Sequence, residues 1–173
     1  MVCKGADTVS YKEIMVKGSP YNMGLQYGSS CREDIQNSLN NLLINQSTVT
    51  MVDKAALFKP MFEELFPEYL EEVKGIAVGA KITLNEALYL QVRWDIPLLI
   101  ENTNDEGCTS YAISSKETEN RGYYSGLNKD VREWSMNNMI VLKMIPDNGP
   151  KIIALVYALI FTRNPSKINQ PAF

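Results

Sequence analysis

Six apolar residues recur at every fourth position between residues 23 and 43: Met23, Tyr27, Cys31, Ile35, Leu39 and Leu43. A spacing close to the helical period puts them on one side of a helix, so this segment must bury one face against something else. Ser19 and Pro20 stand just ahead of it, a hydroxyl suited to the N-cap and a proline whose absent N–H is harmless at the first helical position. The pattern predicts one long amphipathic helix from Pro20. Gly24 and Gly28 lie near the stripe and weaken the helix locally; their expected use is close packing against another element. Ahead of this helix, Tyr11 to Val16 carries Ile14 and Val16 at alternate positions and predicts a short strand, closed by Gly18-Ser19-Pro20.

Further helices follow. Lys54 to Phe66 has a helical pattern that Pro60 either kinks or divides. Pro67 opens another helix through Leu70, Val73, Ile76 and Ala77. Thr83-Leu84-Asn85-Glu86 has the capping-box spacing and predicts a helix running through Trp94. Past the polar, acidic loop Glu101 to Gly107 the pattern changes. Strand-like runs appear at Cys108–Ser114, Tyr123–Leu127, Met139–Ile145 and Lys151–Phe161. Turn signals separate them at Asn120-Arg121-Gly122 and Asp147-Asn148-Gly149, and the second predicts a hairpin. The expected class is therefore α+β. A mostly helical segment spans 1–107, the start of an antiparallel sheet spans 108–161, and an irregular tail spans 162–173. That tail holds two prolines and no periodicity. A truncated or frameshifted gene would give such an ending; a genuine disordered tail is the alternative.

Several function classes drop out. The net charge is −3, with basic residues scattered among acids, so no basic stripe marks a nucleic-acid partner. The longest apolar run, Ile152 to Phe161, is too short to span a bilayer as a helix, and no membrane partner is expected. The N-terminus lacks the basic-then-apolar layout of a signal peptide. Three cysteines, Cys3, Cys31 and Cys108, make no complete disulfide framework, which favours a reducing, cytoplasmic setting. Cys31 lies on the helical stripe and is expected to be core. Glu101, Asp105 and Glu106 fit no EF-hand spacing and are expected to be solvated. Trp94 and Trp134 are expected in packing rather than in a pocket.

The absence of histidine is the sharpest chemical constraint. It removes Ser–His and Cys–His pairs and every histidine-containing metal site. A reactive cysteine here needs a different base. Cys108 sits at a loop-to-strand boundary after Gly107. If the Gly107–Cys108 bond were cut, Cys108 would carry its own α-amine, whose pKa near 7.7–8.0 suits it to accept the thiol proton. Glycine at 107 keeps side-chain bulk away from the carbonyl under attack. The competing expectation is that Cys108 is a small buried apolar residue, the ordinary fate of a free cysteine.

Four segments in order resemble the acyl-coenzyme A:6-aminopenicillanic acid acyltransferase family, cysteine N-terminal-nucleophile hydrolases of the peptidase C45 type. They are Gly18-Ser19-Pro20-Tyr21-Asn22-Met23-Gly24 with Tyr27-Gly28, the helix Leu84–Asp95, Gly107-Cys108-Thr109-Ser110, and Gly126-Leu127-Asn128-Lys129-Asp130. The resemblance implies an αββα sandwich, here incomplete, and self-cleavage between Gly107 and Cys108. It also implies amide hydrolysis or acyl transfer through a Cys108 thioester. Ser110 would bond the cleavage-site peptide or the new amine, Asp130 would hold that amine, and Asn128 would support the strand end. Without the resemblance, Asp130 reads as a turn cap. Position 129 is usually aromatic in the family, and Lys129 departs from that. An oxyanion-hole Asn and a distant Arg belong to the family's remaining length and have no assignment here.

The implied partner is a small-molecule amide or an acyl-coenzyme A, with no metal or organic cofactor; nothing in the sequence speaks against a homo-oligomer. The alternative from another class is a non-catalytic remnant, or one piece of a multi-chain assembly. A redox role for Cys108 has little support, because no second cysteine lies near it in sequence.

Overall fold

Ser19 caps the first helix as its sequence predicts: its hydroxyl oxygen accepts the Asn22 N–H at 3.3 Å, and Pro20 occupies the first turn. A cap of this kind is worth about 1 kcal/mol. The computed structural model describes residues 12–43, 48–93, 96, 108–129 and 139–157. In order, the elements are β1 (Lys12–Gly18), α1 (Pro20–Ser30), α2 (Arg32–Leu43), α3 (Thr48–Ala56), α4 (Lys59–Leu65), α5 (Pro67–Ala80), α6 (Leu84–Val92), β2 (Cys108–Ile113), β3 (Tyr124–Lys129), β4 (Met139–Pro146) and β5 (Ile152–Tyr157). The architecture is α+β.

The predicted long helix is two helices. Cys31 leaves helical geometry (φ −112°, ψ 17°) and separates α1 from α2. Its N–H still donates to the Tyr27 carbonyl at 2.9 Å and its carbonyl still accepts from Ile35 at 2.8 Å. The bend therefore keeps the stripe in phase, and Met23, Tyr27, Cys31, Ile35 and Leu39 are all buried. Lys12 stabilises the break from outside the helix. Its ammonium donates to the Ser30 carbonyl at 2.7 Å and pairs with Asp34 at 3.1 Å. A bond from a strand that lies behind the helix is invisible to helical periodicity.

Pro60 divides rather than kinks its segment, standing in the first turn of α4. Thr83 and Glu86 form both bonds of the predicted capping box. The end of α5 uses Lys81 in the left-handed region (φ 57°), so that Ile82 N–H reaches back to the Ala77 carbonyl at 3.0 Å. Two side chains of α2 take further carbonyls there: Arg32 donates to Gly79 at 3.1 Å and Gln36 to Ala80 at 2.8 Å.

The expected use of Gly24 and Gly28 is realised, and α5 answers in kind. A Cβ at Gly24 or Gly28 would strike the carbonyls of Glu72 or Ile76. A Cβ at Gly75 or Gly79 would strike those of Tyr21 or Leu25. Four glycines thus let α1 and α5 touch backbone to backbone. Only the α1 half is marked by glycines beside an apolar stripe of regular spacing.

One sheet has the order β1–β4–β5. β4 and β5 form the predicted hairpin, pairing antiparallel from Met144 and Ile152 outward. β1 pairs with β4 in parallel, Lys12 opposite Ile140 and Gly18 opposite Pro146. The expected antiparallel sheet over 108–161 is thus divided: β4 and β5 join β1 from the other end of the chain, and β2 pairs with β3 as a separate ribbon. Alternation along a strand fixes which face is buried but not which distant strand lies beside it. The inner face carries buried Ile14, Val16, Ile140, Leu142, Met144 and Val156, in one core with the helix stripe. On the other face Met15, Ile153 and Leu155 are exposed.

The β1 edge is closed by a side chain. Gln26 Oε1 accepts the Lys17 N–H at 3.1 Å while its Nε2 donates to the Lys17 carbonyl at 2.8 Å, as a neighbouring strand would. No helix among the described residues is long and apolar enough to cross a membrane.

Candidate active site

The loop between β2 and β3 fixes their register and so decides what stands beside Cys108. A short 3-10 turn, Ser115–Glu117, leaves β2. Thr118 Oγ1 donates to the Gly122 carbonyl at 2.8 Å, and Asn120 Oδ1 accepts the Gly122 N–H at 3.0 Å. Asn120 Nδ2 also donates to the Tyr124 hydroxyl at 2.6 Å. Arg121 takes the left-handed conformation (φ 57°), completing the turn that the Asn-Arg-Gly signal predicts. Tyr111 lies directly opposite Gly126, and its ring occupies the space where a side chain at 126 would be.

With the loop so fixed, the antiparallel register runs Cys108–Lys129, Thr109–Asn128, Ser110–Leu127, Tyr111–Gly126, Ala112–Ser125 and Ile113–Tyr124. Cys108 is the first residue of β2, at the strand end the sequence predicts. Successive strand positions alternate between faces. Cys108, Ser110, Leu127 and Lys129 therefore fall on one face, and Thr109, Asn128, Tyr111 and Gly126 on the other. Ser110, the expected partner of the cleavage peptide, shares the Cys108 face and is exposed. Asn128 sits on the opposite face, one step along the ladder. Gly107 and Asp130 lie outside the described residues, as do Glu101, Asp105, Glu106, Trp94 and Trp134. Asp130 is peptide-bonded to Lys129, the residue opposite Cys108. The register makes Lys129 the cross-strand neighbour of Cys108; periodicity alone gave it no place.

Cys31 follows the other course. It is fully buried, and burial pushes its thiol up to about 12, with Lys12 opposing the shift and Asp34 adding to it. A thiol so held is inert near neutral pH.

An open cleft of about 460 Å³ lies at the start of α1 against α4 and α5, lined by Ser19, Tyr21, Glu63, Glu68, Leu70 and Lys74 among others. None of its lining comes from β2 or β3. Its charges are mostly matched locally, Lys59 with Glu63 at 3.5 Å and Lys74 with Glu71 at 2.6 Å. Among the described residues no cluster of three or more Cys, Asp or Glu side chains could hold a metal ion.

This chain is similar to an acyltransferase. The relative is the acyl-coenzyme A:6-aminopenicillanic-acid-acyltransferase 40 kDa form of Emericella nidulans, 25% identical over 145 residues. The match covers 80% of this chain and 39% of the acyltransferase, so the chain spans about two-fifths of that relative's length. No family model matches the chain.

Proposed function

We propose that this chain carries the nucleophile of a self-processing cysteine amidohydrolase or acyltransferase of the N-terminal-nucleophile type, acting on amide bonds of small molecules. The observation that carries the reading is the position of Cys108: the first residue of a paired strand, preceded by glycine, in a chain without histidine. The likeness to an acyltransferase supports it. A match over 80% of a 173-residue chain includes position 108 wherever it begins.

In this reading the Cys108 sulfur bonds to the Gly107 carbonyl carbon and the Gly107–Cys108 C–N bond breaks. The thiol proton ends on the released amine. Water then cleaves the thioester, giving a Gly107 carboxylate and restoring the thiol. From there the α-amine serves as base, and the same sulfur takes an acyl group from a small-molecule amide or an acyl-coenzyme A. The acyl group passes on to water or to an amine. Asp130 holds the α-amine, Ser110 bonds the cleavage-site peptide or that amine, and Asn128 supports the strand end. The complete fold of this reading is an αββα sandwich, whose further sheet would cover Met15, Ile153 and Leu155. Oxyanion donors supplied by that remainder are worth about 2.7–4 kcal/mol each.

Intact-mass measurement of the purified full chain tests the reading. Two fragments divided between Gly107 and Cys108 are expected, and a single full-length mass from Cys108→Ala. Division that persists in Cys108→Ala overturns it. A second reading, one piece of a multi-chain assembly or a non-catalytic remnant, is favoured by the exposed Met15, Ile153 and Leu155 on the outer face of the β1–β4–β5 sheet. It expects the undivided mass in both proteins.

A further inference from the structure

The base proposed for Cys108 does not exist until the Gly107–Cys108 bond has been cut. The first sulfur attack needs a thiolate without it, in a chain that has no histidine to supply one. An unperturbed thiol, with pKa about 8.5, is only a few per cent thiolate at pH 7. The register places one cation at the right step of the ladder: Lys129 is directly opposite Cys108. Directly opposed residues are the nearest cross-strand pairs in a sheet, with Cβ atoms about 4.5–5.5 Å apart as a rule. β2 (CTSYAI) has no charged residue, and Lys129 is the single one in β3 (YSGLNK). The other titratable groups of the ribbon, Tyr111 and Tyr124, occupy the opposite face. In sequence, acids flank both positions, Asp105 and Glu106 ahead of Cys108 and Asp130 after Lys129. A positive charge directly across the ladder favours the thiolate over the thiol.

We propose that Lys129 is a positioning charge for Cys108, holding its thiolate in the uncut chain before the α-amine is available. The inference rests on Cys108 being the nucleophile. It accounts for a lysine at this position through charge rather than shape. Lowering a thiol pKa by one unit raises its thiolate fraction about tenfold but makes the thiolate about threefold less nucleophilic, so the net gain near pH 7 is about threefold.

The test is the pH profile of Cys108 alkylation by iodoacetamide on the full chain, read at the Cys108 peptide by mass spectrometry. Lys129, Lys129→Gln and Lys129→Arg are compared in a Gly107→Val background, whose side-chain bulk at the attacked carbonyl keeps the chain undivided. Buried Cys31 must stay unmodified in each, which shows that the variant is folded. Lys129→Gln is expected to move the profile up by about one pH unit and slow alkylation at pH 7 about threefold. Lys129→Arg should restore both, and 1 M salt should narrow the gap between Lys129 and Gln. Superimposable profiles for Lys129 and Gln, or an Arg variant that behaves like Gln, overturn the proposal. Neither outcome depends on backbone cleavage, so failure here is separable from absence of fragments in the intact-mass experiment.

Discussion

The Tyr27 hydroxyl donates to the Tyr157 backbone carbonyl at 3.1 Å, a buried bond that joins α1 to β5 across 130 residues of sequence. Burial is also what raises the Tyr27 phenol well above its ordinary range, so it remains a donor at any ordinary pH. Tyr27→Phe keeps the ring and removes this bond. The expected loss is about 1–1.5 kcal/mol in urea unfolding. Tyr111→Phe, on the exposed face of the ribbon, should change stability by less than about 0.5 kcal/mol.

Gly24 and Gly75 invert an ordinary rule. On an exposed helix, Gly→Ala stabilises by about 0.5–1 kcal/mol. Here Gly24→Ala and Gly75→Ala each place a Cβ against a backbone carbonyl that has no rotamer with which to retreat. Each is expected to destabilise by at least about 1–3 kcal/mol, the cost of overpacking a close contact. Equal or raised stability in chemical denaturation would show that α1 and α5 do not touch backbone to backbone.

Gln26 closes the edge of β1 by bonding both backbone groups of Lys17. Gln26→Ala should cost about 1 kcal/mol and leave those groups open to another strand. Sedimentation at rising protein concentration should then show more self-association than in wild type. Gln26→Glu, which can accept from the Lys17 N–H but not donate to its carbonyl, should lie between the two.

Cys31 makes stability depend on alkaline pH. Its folded-state thiol sits near 12 against an ordinary value of 9.0, so below pH 9 both folded and unfolded states hold the proton and the stabilisation is complete. Between pH 9 and about 12 only the unfolded state releases it, and stability falls by up to about 1.4 kcal/mol per pH unit. Urea midpoints at pH 8 and pH 10 should show this fall in wild type. Cys31→Ala, less stable overall because of the cavity it leaves, should show a smaller one. An unchanged slope would dissociate the effect from this thiol.

Local signals in the sequence located most of the elements. The Ser19–Pro20 start, the Thr83–Glu86 box, the division at Pro60 and the Asp147–Gly149 hairpin each depend on residues within a turn of one another. So did the position of Cys108 at the start of a strand. The break at Cys31 was not legible. It depends on Lys12 reaching from β1.

The sequence by itself determined which face of each element is apolar, where helices start, and that a reactive cysteine would have to work without histidine. Tertiary structure alone decided that β1 pairs in parallel with β4, that Gly75 and Gly79 answer Gly24 and Gly28, and that Lys129 is the residue opposite Cys108. The physical reason is range. Propensity, capping and periodicity act between residues a few positions apart, whereas strand pairing and helix contact are settled by competition among distant segments for the same buried surface.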